Sequence, residues 1–253
     1  MKKKILSIAT CGLLLGLTTT AFAQSNREAN FTIQGDVVSS YIWRGMYQSG
    51  AAVQPTLGFS YGNFSLTAWG SVDITGEGHK EADITAAYSL GGLTVSLADY
   101  WWAGQSGIYN DNENGKNNYF HLGSHDTDHI LEAGLSYTLP YENFPLSLSW
   151  YTMVFGADKK FNAEGERKQA YSSYAEAAYP FVIKDINLVA SVGCSPWESE
   201  ANYKNQHFAV TNVSLKATKV LQITNKFSFP IFAQTIWNPN REDVHFVFGI
   251  TFR

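Results

Sequence analysis

The chain reads as an all-β protein, a transmembrane antiparallel up-and-down β-barrel of about 12 strands with long extracellular loops and short periplasmic turns. Three observations predict this. Apolar residues recur with period two along nearly the whole chain, the connections alternate between long polar and very short, and no apolar run after the first few residues is long enough for a membrane helix.

The first residues are a separate element. MKKKILSIATCGLLLGLTTTAFAQ combines Lys2, Lys3 and Lys4, an apolar run from Ile5 to Leu17 and the small-residue site Ala21-Phe22-Ala23. That is the pattern of a secretory signal, so residues 1–23 are expected to be cleaved and 24–253 to form the barrel domain. The run is too short for an anchor, and the apolar stretch before Cys11 too short for a lipoprotein signal. Cleavage would remove three of the 18 basic residues and none of the 22 acidic ones, which argues against nucleic acid as a partner. It would also leave Cys194 alone, with no disulfide framework.

The segments follow in order. FTIQGDVVSSYIW opens the domain, then VQPTLGFSY. In NFSLTAWGSVDIT, Phe64, Leu66, Ala68, Val72 and Ile74 share one face and Ser65, Thr67, Ser71 and Asp73 the other. ADITAAYSL, LTVSL, HILEAGLSYTL, PLSLSWYTMVF, YSSYAEAAY, INLVASV, HFAVTNVSLKA and FSFPIFAQTIW repeat the alternation. VHFVFGITFR closes it with Val244, Phe246, Phe248, Ile250 and Phe252 in line. Segments of about ten residues cross a bilayer when tilted.

The connections sort by length. GMYQSGAA, TGEGHKE, Gly104 to about Asp128, GADKKFNAEGERK, SPWESEANYKNQ and NPNRED are the longer, polar ones. Between them fall Gly62-Asn63, Gly91-Gly92, Pro140 to Asn143, Lys184-Asp185 and Thr224 to Lys226. A β-sandwich has no reason to sort its loops this way, whereas a barrel with both termini in the periplasm does. Tyr41, Trp43, Tyr100 to Trp102, Trp150, Tyr151, Tyr174, Tyr179 and Trp237 fall near segment ends, where interface girdles are expected.

With the apolar face outward, the other face supplies the lumen: Gln34, Asp36, Arg44, Asp73, Asp83, Glu132, Glu176, Lys216 and Gln234. Excess acid there favours cations. Arg44 is expected to pair with Asp73 or Asp83 across the wall, or to tune ion preference. Asp99 is the exception, in line with Leu93, Val95 and Leu97, and a bulge or an exit from the membrane before it would resolve the conflict. Trp69 and Trp102 lie on the inner register and favour some plugging.

SSYIWRGMYQSGAAVQPTLGFSYGNFSLTAWGSVDI followed by EADITAAYSL resembles the opening of the TorF-type porins of Gram-negative bacteria. The matching positions are Trp43, Arg44, Gly45, Gln48, Ser49, Gln54, Trp69, Gly70, Ser71, Asp73, Glu81 and Asp83, covering about the first third of the mature chain. The resemblance implies an outer-membrane porin. The C-terminal FVFGITFR resembles the signal read by the barrel-assembly machinery, carried here by Phe248, Ile250 and Phe252, with Arg253 as a departure.

The function expected is passive diffusion of small hydrophilic solutes across the outer membrane, with outer-membrane lipid, the assembly machinery and the solutes as partners and no cofactor. A plugged surface-recognition barrel and an outer-membrane lipid-modifying enzyme are the alternatives. No nucleophile elbow, nucleotide-binding glycine loop or HExxH occurs, so no catalytic residue is assigned. His79, His121 and His125 are the loop histidines an enzyme would use. His121, His125 and His129, every four residues, are the weak candidates for a metal. NDNENGK lacks the acidic first position and terminal Glu of a calcium loop.

Overall fold

The computed structural model describes residues 28–76, 80–103, 119–123, 127–224 and 227–253. The expected signal segment, His79 and His125 lie outside them, as does most of the long connection from Gly104 to Asp128.

The wall strands are β1 (Ala29–Val38), β4 (Ala52–Tyr61), β5 (Phe64–Asp73), β6 (Lys80–Leu90), β7 (Leu93–Ala103) and β8 (His129–Thr138) in the first half. The second half holds β9 (Ser147–Gly156), β12 (Ser173–Ile183), β13 (Ile186–Ser195), β14 (Ala209–Thr224), β15 (Phe227–Asn238) and β16 (Asp243–Phe252). Each pairs antiparallel with its chain neighbour, and β16 returns to β1 through Gly35↔Phe252 to Val38↔Gly249, closing a barrel of twelve strands. Closure leaves no strand edge to meet lipid, the condition for a sheet that crosses a membrane.

Side-chain facing follows the period-two pattern. Leu66 is 41% exposed on the outer surface while its neighbours Ser65 and Thr67 turn inward. Phe31, Ile33, Leu57, Val95, Leu135, Phe246 and Phe248 share that apolar outer surface. An apolar exterior on a closed sheet makes this a transmembrane β-barrel.

The two ends differ. Gly62-Asn63, Gly91-Gly92, the 139–146 connection and Lys184-Asp185 join strands at one end. Gly91 and Gly92 both take positive φ, 57° and 87°, as a two-residue hairpin turn requires. The opposite end carries the longer connections, and two of them contain short hairpins: β10 (Lys159–Phe161) with β11 (Arg167–Gln169), and β2 (Tyr41–Trp43) with β3 (Met46–Ser49).

The β2–β3 hairpin revises the expected first strand. The ladder of β1 stops at Val38, where the Ser39 amide donates to the Phe248 carbonyl (2.8 Å) and the Ser39 hydroxyl accepts from the Phe248 amide (2.9 Å). The chain then leaves the wall and turns back on itself inside the barrel. Tyr41 and Trp43 pack against Tyr100, Ile130, Tyr151, Met153, Tyr174 and Tyr203. Ile42, on the other face, packs against Val38, Phe232, Ile236 and Val247. The hairpin therefore bridges opposite walls and forms the hydrophobic core of the loop-end half. Trp43, expected at the membrane interface, is 4% exposed within that core.

Candidate functional site

Arg44 and Gly45 are the two central residues of the hairpin turn. Both have positive φ, 50° and 83°, which gives the twist that two-residue hairpins need. Gly45 is required twice over, since a β-carbon there would collide with the Thr211 carbonyl. The Asn238 amide holds the turn by donating to the Gly45 carbonyl (3.0 Å).

At this tip the Arg44 guanidinium makes a fork with Glu132 of β8, Nη1 donating to Oε2 and Nη2 to Oε1, each at 2.7 Å. Nη1 also donates to the Tyr203 hydroxyl (2.6 Å). The guanidinium carbon lies 4.6 Å from the Trp43 ring centre and 4.7 Å from those of Tyr151 and Tyr174. Side-chain exposures of 6% for Arg44 and 2% for Glu132 leave solvent almost no part in the pair. Glu132 Oε1 accepts a further bond from the Tyr100 hydroxyl (2.8 Å). The register between β8 and β9 shifts at Leu131/Glu132, so the carboxylate sits at a local irregularity of the wall, a common way of re-aiming a side chain.

Tyr203 comes from the 196–208 connection, and a buried Asp158 fixes that segment. Asp158 accepts from the Ser172 amide (2.8 Å) and hydroxyl and from the Asn202 amide (2.8 Å), tying the 157–172 and 196–208 connections together. Burial pushes the Asp158 carboxyl up, opposed chiefly by its bonds from Ser172. Burial likewise pushes the Tyr203 phenol up, with the Arg44 cation opposing. Tyr203 stacks on Trp43, with centroids 5.6 Å apart and 11° between planes.

The other expected lumen residues spread along the wall. Asp36, Asp73, Asp83 and Lys216 are buried, whereas Gln34, Glu176 and Gln234 are half-buried. Asp73 caps the following turn, accepting from the Thr75 amide (2.8 Å). Asp83 neighbours Glu81, which accepts from the Tyr41 hydroxyl (2.8 Å). Glu176 accepts from Tyr174 (2.7 Å) and Asn212 (3.1 Å), and Lys216 Nζ lies 3.9 Å from the centre of the Phe232 ring. Gln234 donates to Ser214 (3.3 Å). Arg44 thus meets neither of the partners expected for it, Asp73 and Asp83, but an acid on a more distant strand.

Of the two resolutions expected for Asp99, the bulge is absent. No register shift precedes it in the β6–β7 or β7–β8 ladders, so it keeps the outward phase. Its charge is met by His129 on the neighbouring strand, whose Nδ1 lies 2.9 Å from Asp99 Oδ2. The other ring nitrogen of His129 donates to the Tyr119 carbonyl (2.6 Å). Both nitrogens are thereby engaged. Among the described residues, no group of three or more His, Cys, Asp or Glu is disposed to hold a metal ion. Phe248, Ile250 and Phe252 face outward on β16, and the Cys194 thiol is half-buried on β13.

Sequence reasoning missed the tyrosine set. Tyr100 and Tyr151 follow the inward phase of their strands, opposite to Leu97 and Trp150, and that phase was the available signal. Their place near segment ends suggested a girdle instead.

No protein-family model matches the chain, and no curated protein does. Solved structures with a similar course include a KdgM porin, with 7% identity, TM-score 0.44 and coverage of 87% of this chain and 98% of that one. A NanC porin gives 8% identity, TM-score 0.45 and coverage of 88% and 100%. OmpF from Salmonella typhi in complex with daunomycin gives 10% identity, TM-score 0.36 and coverage of 88% and 97%. The barrel assignment itself stands on strand closure and side-chain facing.

Proposed function

We propose that the chain is an outer-membrane porin through which small hydrophilic solutes diffuse passively, with passage governed by the β2–β3 hairpin. The observation that carries this is the division of the inner wall. At the turn end β5, β7, β8 and β9 turn small hydroxylic side chains inward: Ser65, Thr67, Thr94, Ser96, Ser136 and Ser149, all half-buried. Such a wall supports a water column at little cost. At the loop end the hairpin and its aromatic neighbours fill the section.

The resemblance of the opening third to TorF-type porins supports the same reading, with residues 1–23 as the export signal and the loop end facing outward. Phe248, Ile250 and Phe252 are then the residues offered to the assembly machinery. Asp36, Asp73, Asp83, Glu132 and Glu176, set against Arg44 and Lys216, make the pathway cation-preferring.

The test is planar-bilayer conductance of the refolded barrel, beside a variant whose residues 40–50 are replaced by a short Gly/Ser linker. Both are expected to give cation-selective steps, larger in the variant. Absence of steps from both would refute a channel. A second reading, a plugged barrel, is favoured by the packing of both hairpin faces; a silent wild type with a conducting variant would establish it.

A further inference from the structure

We propose that the walls around Arg44 form a recognition site for small guanidinium-bearing cations, that Arg44 is its built-in occupant, and that such cations are the solutes this lumen admits. The solute assignment rests on the porin reading, whereas the site does not.

The chemistry of the site is specific. Glu132 presents both oxygens to two parallel N–H donors, and flat rings cover the guanidinium. A planar fork between aromatic faces matches this arrangement, while an ammonium would meet it only as a point charge.

Walls and occupant belong to different parts of the molecule. Glu132, Tyr100, Tyr151 and Tyr174 stand on barrel strands, and Glu132, Tyr100 and Tyr174 have hydrogen-bonded supports apart from the hairpin. Tyr100 bonds to Glu132, and Tyr174 donates to Glu176. The Tyr203 amide donates to Ser199, and its carbonyl accepts from Asn240. Withdrawal of the hairpin would leave a buried carboxylate amid tyrosines, already shaped for a cation. The hairpin is also separable: its two strands pair with each other and form a sheet of their own, outside the barrel ladder.

The turn itself does not ask for arginine. A non-glycine residue in the left-handed region is disfavoured by ~1 kcal/mol, and Asn or Asp tolerates it best. Arg44 is therefore held there by what its head group does. An occupant on short tethers acts at an effective concentration on the order of millimolar, so a free guanidinium competes at millimolar levels.

The experiment titrates the refolded Arg44→Ala barrel with methylguanidinium chloride and with methylammonium chloride. Methylguanidinium should bind about tenfold tighter, the worth of one more charge-assisted hydrogen bond, and Arg44→Ala/Glu132→Gln should lose that preference. Equal affinities in Arg44→Ala overturn the site. If Arg44→Ala does not fold alone, refolding in millimolar methylguanidinium should restore it where methylammonium does not; equal yields, or none, also overturn the site. For the wild type, methylguanidinium should carry severalfold more bilayer current than methylammonium, and Glu132→Gln should abolish the difference. Equal currents refute the solute assignment. A barrel that conducts neither with the hairpin present nor with it shortened refutes the porin reading and the solute assignment together, while the titration still decides the site.

Discussion

Glu132→Gln keeps the length and shape of the side chain and removes its charge, leaving the Arg44 guanidinium buried without a carboxylate. Removing one partner of a buried pair costs ~3–5 kcal/mol, because the remaining charge stays desolvated. The remaining contacts do not make up the loss: the Tyr203 hydroxyl is a neutral acceptor, and each of the rings at 4.6–4.7 Å contributes ~0.5–2 kcal/mol that was present before.

Where that energy shows depends on topology. The hairpin is outside the barrel ladder, so the cheapest relief is its departure from the lumen, with the twelve wall strands intact. Hydrogen exchange on the refolded barrel in lipid is therefore the assay. Amides of residues 41–49 should exchange about a hundredfold to a few thousandfold faster, the equivalent of that pair energy, while amides of β5 and β14 keep their protection. Arg44→Met/Glu132→Met, with both charges gone, should recover most of the loss, so its cost should fall short of the sum of the two single variants by at least about 3–5 kcal/mol, the penalty each single carries for its unpaired charge. Exchange in 41–49 unchanged within tenfold in Glu132→Gln, or an additive double variant, would refute the claim that this pair seats the hairpin.

Three further outcomes follow from the same geometry. Leu66→Arg places a cation on the lipid face at ~2–4 kcal/mol, whereas Thr67→Arg points into the wet turn-end lumen, so vesicle insertion yield should fall for the first far more than the second; equal yields would invert the facing. Deleting 244–253 removes the strand that joins β15 to β1, and surface display of the truncated chain should be lost. Gly45→Ala drives a methyl group into the Thr211 carbonyl and should unseat the hairpin in the exchange assay, while Gly76→Ala, also at positive φ but in open space, should leave residues 41–49 protected.

The barrel was legible because alternation encodes facing directly: Phe64 to Asp73 could be assigned side by side without knowing any neighbour. The hairpin was not, for a reason visible in β1. Phe31, Ile33 and Val37 are outward at odd positions, and Tyr41 and Trp43 continue the odd phase, so the pattern alone extends the strand to Trp43. What ends it is a side-chain bond, the Ser39 hydroxyl taking the Phe248 amide, and its partner lies more than two hundred residues away. The remaining local sign was Arg-Gly between YIW and MYQS, a two-residue turn between two short alternating runs.

Partner choice was hidden for a different reason. Facing says that Arg44, Asp73, Asp83 and Glu132 are all inside, but not how far around the wall each one lies. An arginine on a loop over β4 would meet Asp73 on β5 or Asp83 on β6, one and two strands away. Arg44 stands instead at the end of an arm of three residues, about 10 Å long at strand rise, directed across the lumen. From there the near wall is behind it, and the first carboxylate in front is Glu132 on β8, four strands from β4. The identity of the acid therefore reports the direction of the arm. An Arg44 paired with Asp73 would mean an open upper lumen, and one paired with Glu132 requires a crossed one.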